Sequence, residues 1–154
     1  MHSFEIVFFD FFGQDFQAAN IRIIQNYDLS TPAVRAQALQ LKRVFINLIQ
    51  NACSAIMDSK IGDTVRIRLW PGPREVQVEV SDNGPGLPDS ILKNHAQPAG
   101  SHWKIHKGFG QGLMLVHQIV KAYGGKLAFD NSPGGGSKIL ISFPVASSWA
   151  TKRI

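Results

Sequence analysis

The 154-residue chain predicts an α/β fold, a mixed β-sheet with helices packed on one face. Three observations predict it. Helical and extended apolar periods alternate along the chain. Two turn signals, Pro71-Gly72-Pro73 and Pro133-Gly134-Gly135-Gly136, each separate a pair of extended runs. Apolar residues make up 44% and charged residues 18%, enough to bury a core. The same figures exclude a disordered tail, a collagen-like repeat and a small disulfide scaffold.

The elements follow in order. Phe4 to Ala19 reads as an apolar, aromatic-rich helix interrupted at Gly13. Ile21 to Gln25 alternates as a strand does, and Thr31-Pro32 breaks the chain. Leu39 to Met57 is the strongest helix, since Leu41, Val44, Phe45, Leu48, Ala52, Ala55 and Ile56 recur at three- and four-residue steps. Thr64 to Trp70 and Glu75 to Ser81 read as strands, and Ser81 to Pro88 as a Gly/Pro-rich loop. Ile91 to Lys107 is polar and without a clear period, which predicts a long loop or lid. Gly110 to Tyr123 is a second helix with Leu113, Val116, Ile119 and Val120 on one face, closed by Gly124-Gly125. Lys126 to Phe129 and Lys138 to Phe143 read as the last two strands.

One domain is expected by length. The only cysteine, Cys53, excludes an intrachain disulfide and is expected to be buried and inert. No apolar run approaches the ~18 residues of a membrane span, and no signal-peptide pattern opens the chain. A soluble chain of a reducing compartment is therefore expected. The net charge of +5 is concentrated: Ser90 to Phe129 holds Lys93, Lys104, Lys107, Lys121 and Lys126 and no acidic residue. Such a stretch suits a polyanion. It lacks arginine and aromatic interleaving, so a nucleotide polyphosphate fits better than nucleic acid.

Three motifs carry chemistry. Asn47 and Asn51 lie four residues apart, so on a helix both amides share one face. An amide oxygen is a hard neutral ligand suited to phosphate-borne Mg²⁺, although two polar residues on a helix rim give the same pattern. Asp82-Asn83-Gly84-Pro85-Gly86-Leu87 follows a strand. An ionised carboxylate only accepts hydrogen bonds, so Asp82 could take the exocyclic amino group of adenine beside a backbone opened by Gly84 and Gly86. A plain Asp-Asn-Gly turn is the other reading. Gly108-Phe109-Gly110-Gln111-Gly112-Leu113 leads into a helix. Its backbone N–H groups and dipole suit phosphate, with Lys104 and Lys107 just before it. No Lys-Ser/Thr follows the glycines, so it is not a Walker loop, and the glycine spacing is not that of a dinucleotide fingerprint.

Taken in this order, the motifs resemble the nucleotide-binding domain of the GHKL ATPases, the superfamily of gyrase, Hsp90, sensor histidine kinases and MutL. The similarity is greatest to the catalytic and ATP-binding domain of sensor histidine kinases. Leu39 to Ala52 looks like their N box, Val80 to Pro88 like their G1 box, and Gly108 to Leu113 like their G2 box. Asn131 to Pro144 looks like their closing hairpin, and the likeness runs from about Ile21 to Pro144. It implies the Bergerat fold, a two-layer α/β (α+β) sandwich. It also implies the cofactors ATP and Mg²⁺, with Asn51 as metal ligand and Asn47 beside it at the phosphate end. Asp82 would bind the adenine amino group, with Gly84, Gly86 and Leu87 shaping the pocket. Lys104, Lys107, Gly108, Gly110, Gly112 and Leu113 would hold the triphosphate, and Ser137 would assist adenine recognition.

Position 47 separates the branches of the superfamily. Gyrase-like and Hsp90-like members carry there a Glu that activates water, as anti-sigma serine kinases usually do. Asn47 cannot act as a general base. Phosphoryl transfer to another nucleophile is thus favoured over hydrolysis. The expected partner is a phosphoacceptor histidine domain of the same longer protein, with a response regulator downstream, a homodimer in the full-length protein and no nucleic acid. Such a domain would be cytoplasmic, in a parent that the sequence leaves free to be anchored in the inner membrane. A same-fold ATPase or serine-kinase regulator and a degenerate nucleotide-binding module are the alternatives. The lid departs from the family in lacking the Phe-x-Pro-Phe element, with only Gln97-Pro98 near its place, and Gln111 replaces a usual Leu. No His-Glu-Pro-like or His-Asp-Pro-like acceptor occurs, so the chain looks like an excised domain. His2, His95, His102, His106 and His117 are expected on the surface or in the lid, without a zinc pattern.

Overall fold

The structure, a computed structural model, describes residues 20–28, 30–32, 34, 36–94 and 110–146. The elements run β1 (Arg22–Tyr27), α1 (Ala38–Ser59), β2 (Thr64–Pro71), β3 (Glu75–Asp82), α2 (Asp89–Asn94), α3 (Gly110–Ala122), β4 (Lys126–Asn131) and β5 (Ser137–Pro144). The strands form one sheet in the order β1-β2-β3-β5-β4. β1 and β2 are parallel, joined by α1 as the crossover that parallel strands require. The other neighbours are antiparallel, so the sheet is mixed. The expected helix at Phe4 to Ala19 lies outside the described residues.

Period-two alternation decides which face is covered. Val65, Ile67 and Leu69 of β2, Val76, Val78 and Val80 of β3, and Ile139, Ile141 and Phe143 of β5 are all buried. They meet the apolar stripe of α1, where Leu41, Val44, Phe45, Leu48, Ile49, Ala52 and Ile56 are buried, and that of α3 through Leu113, Val116 and Val120. At ~25 cal/mol per Å² of apolar surface, this single cluster is the main favourable term for folding. The opposite face carries exposed Arg66 and Arg68. Arg68 lies 4.7 Å from the centre of the Trp70 ring and 3.8 Å from Glu79, its cross-strand partner. An ion pair this exposed contributes ~0–1 kcal/mol, so the core and not this face fixes the fold.

Helix α1 ends on Lys60, whose φ of 59° is left-handed and whose N–H donates to the Ile56 carbonyl at 2.8 Å. A side chain with a Cβ is strained there, and glycine is not. Lys60→Gly is expected to stabilise the domain by about 0.5–1 kcal/mol, read as a higher denaturant midpoint at unchanged slope.

Two expectations are corrected. Ile91 to Asn94 belong to the short helix α2 rather than to a loop. Six residues give too few turns for an apolar period to show, and the fold supplies the missing signal by burying Ile91. The rest of the expected lid lies outside the described residues. His117 is buried, only 6% exposed, instead of lying at the surface. It stands four residues after Leu113, on the same stripe of α3.

Burial, with Lys121 nearby, holds the His117 imidazole below its usual pKa, which favours the neutral form in the folded state. The folded value lies below the unfolded one of ~6.5. The contribution to stability is therefore complete above about pH 6.5 and is lost as pH falls through the folded value. Thermal scans across that window should show the loss, and His117→Leu should flatten it.

Candidate functional site

The site lies where β3 ends and β5 begins, beneath the two long helices. Asp82 closes β3 on the same face as Val78 and Val80, so its carboxylate points into the helical layer. The register pairs Ser81 with Lys138, which puts Ser137 beside Asp82 on the next rung. Asp82 Oδ1 accepts from the Gly84 N–H at 2.8 Å and the Ser137 N–H at 3.3 Å, and Oδ2 accepts from the Ser137 hydroxyl at 2.5 Å. A carboxylate offers about four acceptor positions, so roughly one stays open toward the cleft. Around this acceptor the cleft is apolar. Leu48, Ala52 and Ala55 of α1 face Val80, Leu87, Leu113 and Ile139, with Asn51, Gly86 and Ser137 completing the lining. Such a lining, apolar on both sides with one charged acceptor at its end, is chemically suited to a flat heterocycle with an edge amino group.

Toward α3 the lining becomes polar. Gly112, in the first turn of α3, backs onto both asparagines: a Cβ there would lie 3.4 Å from Asn51 Nδ2 and 3.6 Å from Asn47 Oδ1. The first and third sequence motifs therefore meet in space. The side-chain Nδ2 of Asn51 is buried and has no hydrogen-bond partner among the described residues. A buried unsatisfied donor costs about 1–3 kcal/mol, and a ligand oxygen at this point would recover it. No acidic residue stands in the first turn of α3, so the helix dipole there is not already compensated.

The loop after β3 is braced from both sides. Asn83 Oδ1 accepts from the Asp63 and Thr64 N–H groups at 2.8 and 2.9 Å, while its Nδ2 donates to Asp63 Oδ1 at 2.9 Å. The Asn83 and Thr64 hydrogen bonds hold the exposed Asp63 carboxyl below its usual range. Gly86, at φ 91°, packs against the Asn131 side chain. Gly136, at φ 93°, lies so near Asp82 that an added Cβ would overlap the Asp82 carbonyl oxygen. Nothing in the local sequence marks a role for Asn83, Asn131 or Gly136. Their partners are 19 to 54 residues away, a distance that local spacing does not register.

Cys53 is half-buried rather than buried. Burial, and after it the Asp82 charge, pushes its thiol pKa up, which agrees with an inert side chain. Lys104, Lys107 and Gly108, together with His95, His102 and His106, lie outside the described residues. Among the described residues no three His, Cys, Asp or Glu side chains gather as a metal site, and no helix is long and apolar enough to cross a membrane.

The family described as histidine kinase-, DNA gyrase B- and HSP90-like ATPases matches residues 36–147. The chain belongs to this family. Within it, the resemblance is to histidine kinases. Sporulation kinase A of Bacillus subtilis is 35% identical over 124 residues, which are 80% of this chain and 20% of that protein. The sensory histidine kinase/phosphatase NtrB of Rhodobacter capsulatus is 35% identical over 141 residues, 83% of this chain and 38% of that protein. The chain thus spans well under half the length of these relatives. The catalytic domain of histidine kinase ThkA superposes with a TM-score of 0.66 at 26% identity, covering 84% of this chain and 82% of that one. The mycobacterial sensor histidine kinase MprB shares the fold, with a TM-score of 0.62 at 24% identity, covering 82% of this chain and 83% of that one. The chain is an ATP-binding catalytic domain of the histidine-kinase type.

Proposed function

We propose that this domain binds Mg²⁺-ATP in the cleft and presents the γ-phosphate to a histidine on a separate helical domain of a longer sensor kinase. The observation that carries the reading is the row Asp82, Asn51, Gly112: a base acceptor, a buried unpartnered amide and a helix start along one cleft. In it, Asp82 takes the adenine amino group, and Ser137 fixes the carboxylate's rotamer. Gly84 closes the turn by donating to Asp82, while Gly86 and Leu87 wall the base. The phosphates reach the N-terminus of α3, where Gly112 leaves room for backbone donors; the sequence motif adds Gly108 and Gly110, with Lys104 and Lys107 as positive charge, to this part of the proposal. Asn51 fits a Mg²⁺ ion brought in on the phosphates, since its oxygen is a suitable ligand and its free Nδ2 suits a phosphate oxygen. The ion, when bound, supplies charge neutralisation. Asn47 provides no base, so water is not activated and the transfer waits for a nucleophile from elsewhere.

The acceptor histidine domain, a response regulator after it, a homodimer of the full protein and a cytoplasmic site of action belong to this proposal. So does the absence of nucleic acid among its partners. Radiolabelled ATP added to the longer protein carrying this domain tests it. Label stable to alkali and lost in acid is expected on histidine, and Asn51→Ala should lower it at least 100-fold while leaving folding intact. Steady release of phosphate without labelled protein would favour an ATPase instead.

A further inference from the structure

We infer that Asn131 is a positioning residue for the base-binding wall, an inference that rests on the nucleotide reading above. Asn131 is the last residue of β4 and pairs with Ser137, the first residue of β5. Alternation from Phe129 and Ile139 turns both side chains toward the helical layer. Ser137 grips Asp82 at the start of the adenine loop. Asn131 grips its end: Oδ1 accepts from the Leu87 N–H at 2.8 Å, and Nδ2 donates to the Leu87 carbonyl at 3.3 Å. One rung of the β4–β5 hairpin therefore holds both ends of the loop from Asp82 to Leu87.

The two grips do different work. Ser137 orients the acceptor, whereas Asn131 sets how far Leu87 stands from the base. Leu87 is 6% exposed and lines the slot, so its backbone polar groups are shielded from water and depend on this amide. Gly86, next to it, has φ 91° and would have a Cβ only 3.1 Å from Asn131 Oδ1, so the side chain also fills the space behind the loop. With Asn131 truncated, Leu87 loses both bonds and the loop loses its backing. The wall would move relative to Asp82, while Asn51 and the start of α3, on the other side of the cleft, keep their places. The effect should therefore fall on the base and spare the phosphates.

Calorimetric titration of wild type, Asn131→Ala and Asn131→Asp with ATP, adenosine and inorganic tripolyphosphate separates these terms. Asn131→Ala is expected to weaken ATP and adenosine alike, by about 10-fold, the effect of one to two hydrogen bonds. Tripolyphosphate should stay within about 2-fold. Asn131→Asp keeps the acceptor for the Leu87 N–H but sets a carboxylate oxygen against the Leu87 carbonyl, so it should recover only part of the loss. Hydrogen exchange at the Leu87 amide should speed up in Asn131→Ala and return toward wild type in Asn131→Asp. Unchanged ATP affinity in a folded Asn131→Ala would overturn the inference and leave the nucleotide reading standing. Equal losses for adenosine and tripolyphosphate would reduce Asn131 to a general structural role. A wild type that binds no ATP would overturn the nucleotide reading, and this inference with it.

Discussion

Asp82→Asn is expected to weaken ATP binding about 100-fold, roughly 3 kcal/mol, with little change in thermal stability of the free domain. The carboxylate already accepts three hydrogen bonds, from the Gly84 N–H, the Ser137 N–H and the Ser137 hydroxyl. An asparagine replaces one acceptor oxygen by a donor NH₂. If that NH₂ takes the place of Oδ1, it meets the Gly84 and Ser137 N–H groups donor to donor. If it faces the cleft, it meets the adenine amino group donor to donor. Either orientation leaves one group unpaired where water is excluded. The same acceptor should set base choice, because the guanine carbonyl would face a carboxylate and be repelled. Cys53 gives an independent readout. Part of its raised pKa comes from the Asp82 charge, so its alkylation near neutral pH should speed up in Asp82→Asn.

Gly136→Ala carries the largest expected effect on the fold. A Cβ at Gly136 would overlap the Asp82 carbonyl, and φ is 93°, outside what an L side chain adopts without strain. The neighbour is backbone at the end of a central strand, so no rotamer change relieves the clash. A loss of about 3 kcal/mol or more is expected, which places the variant among the severe single substitutions. Urea unfolding measures it. Because the displaced backbone is that of Asp82, ATP binding should fall even under conditions that keep the variant folded. Gly134 and Gly135 have open space around their Cβ positions. Gly134→Ala should therefore be nearly neutral and serves as the control.

These two positions show what the sequence made legible. Asp82 stood out only through the order of the three motifs, since an Asp-Asn-Gly turn by itself is common. The strands could be read because Val65, Ile67 and Leu69 alternate with Arg66 and Arg68, and α1 because its stripe repeats at helical steps. Gly136 looked like one more turn glycine, as its constraint comes from Asp82, which is distant in sequence. Asn131 and Asn83 were silent for the same reason: each is defined by a backbone it meets only after the sheet has formed. His117 was misplaced because one polar residue in an apolar stripe does not reveal which side of the helix carries it. The meeting of Asn51 with Gly112 was anticipated from motif order and not from spacing, for 61 residues separate them in the sequence.

The most direct test of the account is a crystal structure of the domain with Mg²⁺ and a non-hydrolysable ATP analogue. The account predicts the base between Ala52 and Leu87, its amino group on the free lone pair of Asp82, and the phosphates between Asn51 and the first turn of α3. An analogue found elsewhere, or a base whose amino group turns away from Asp82, would contradict it.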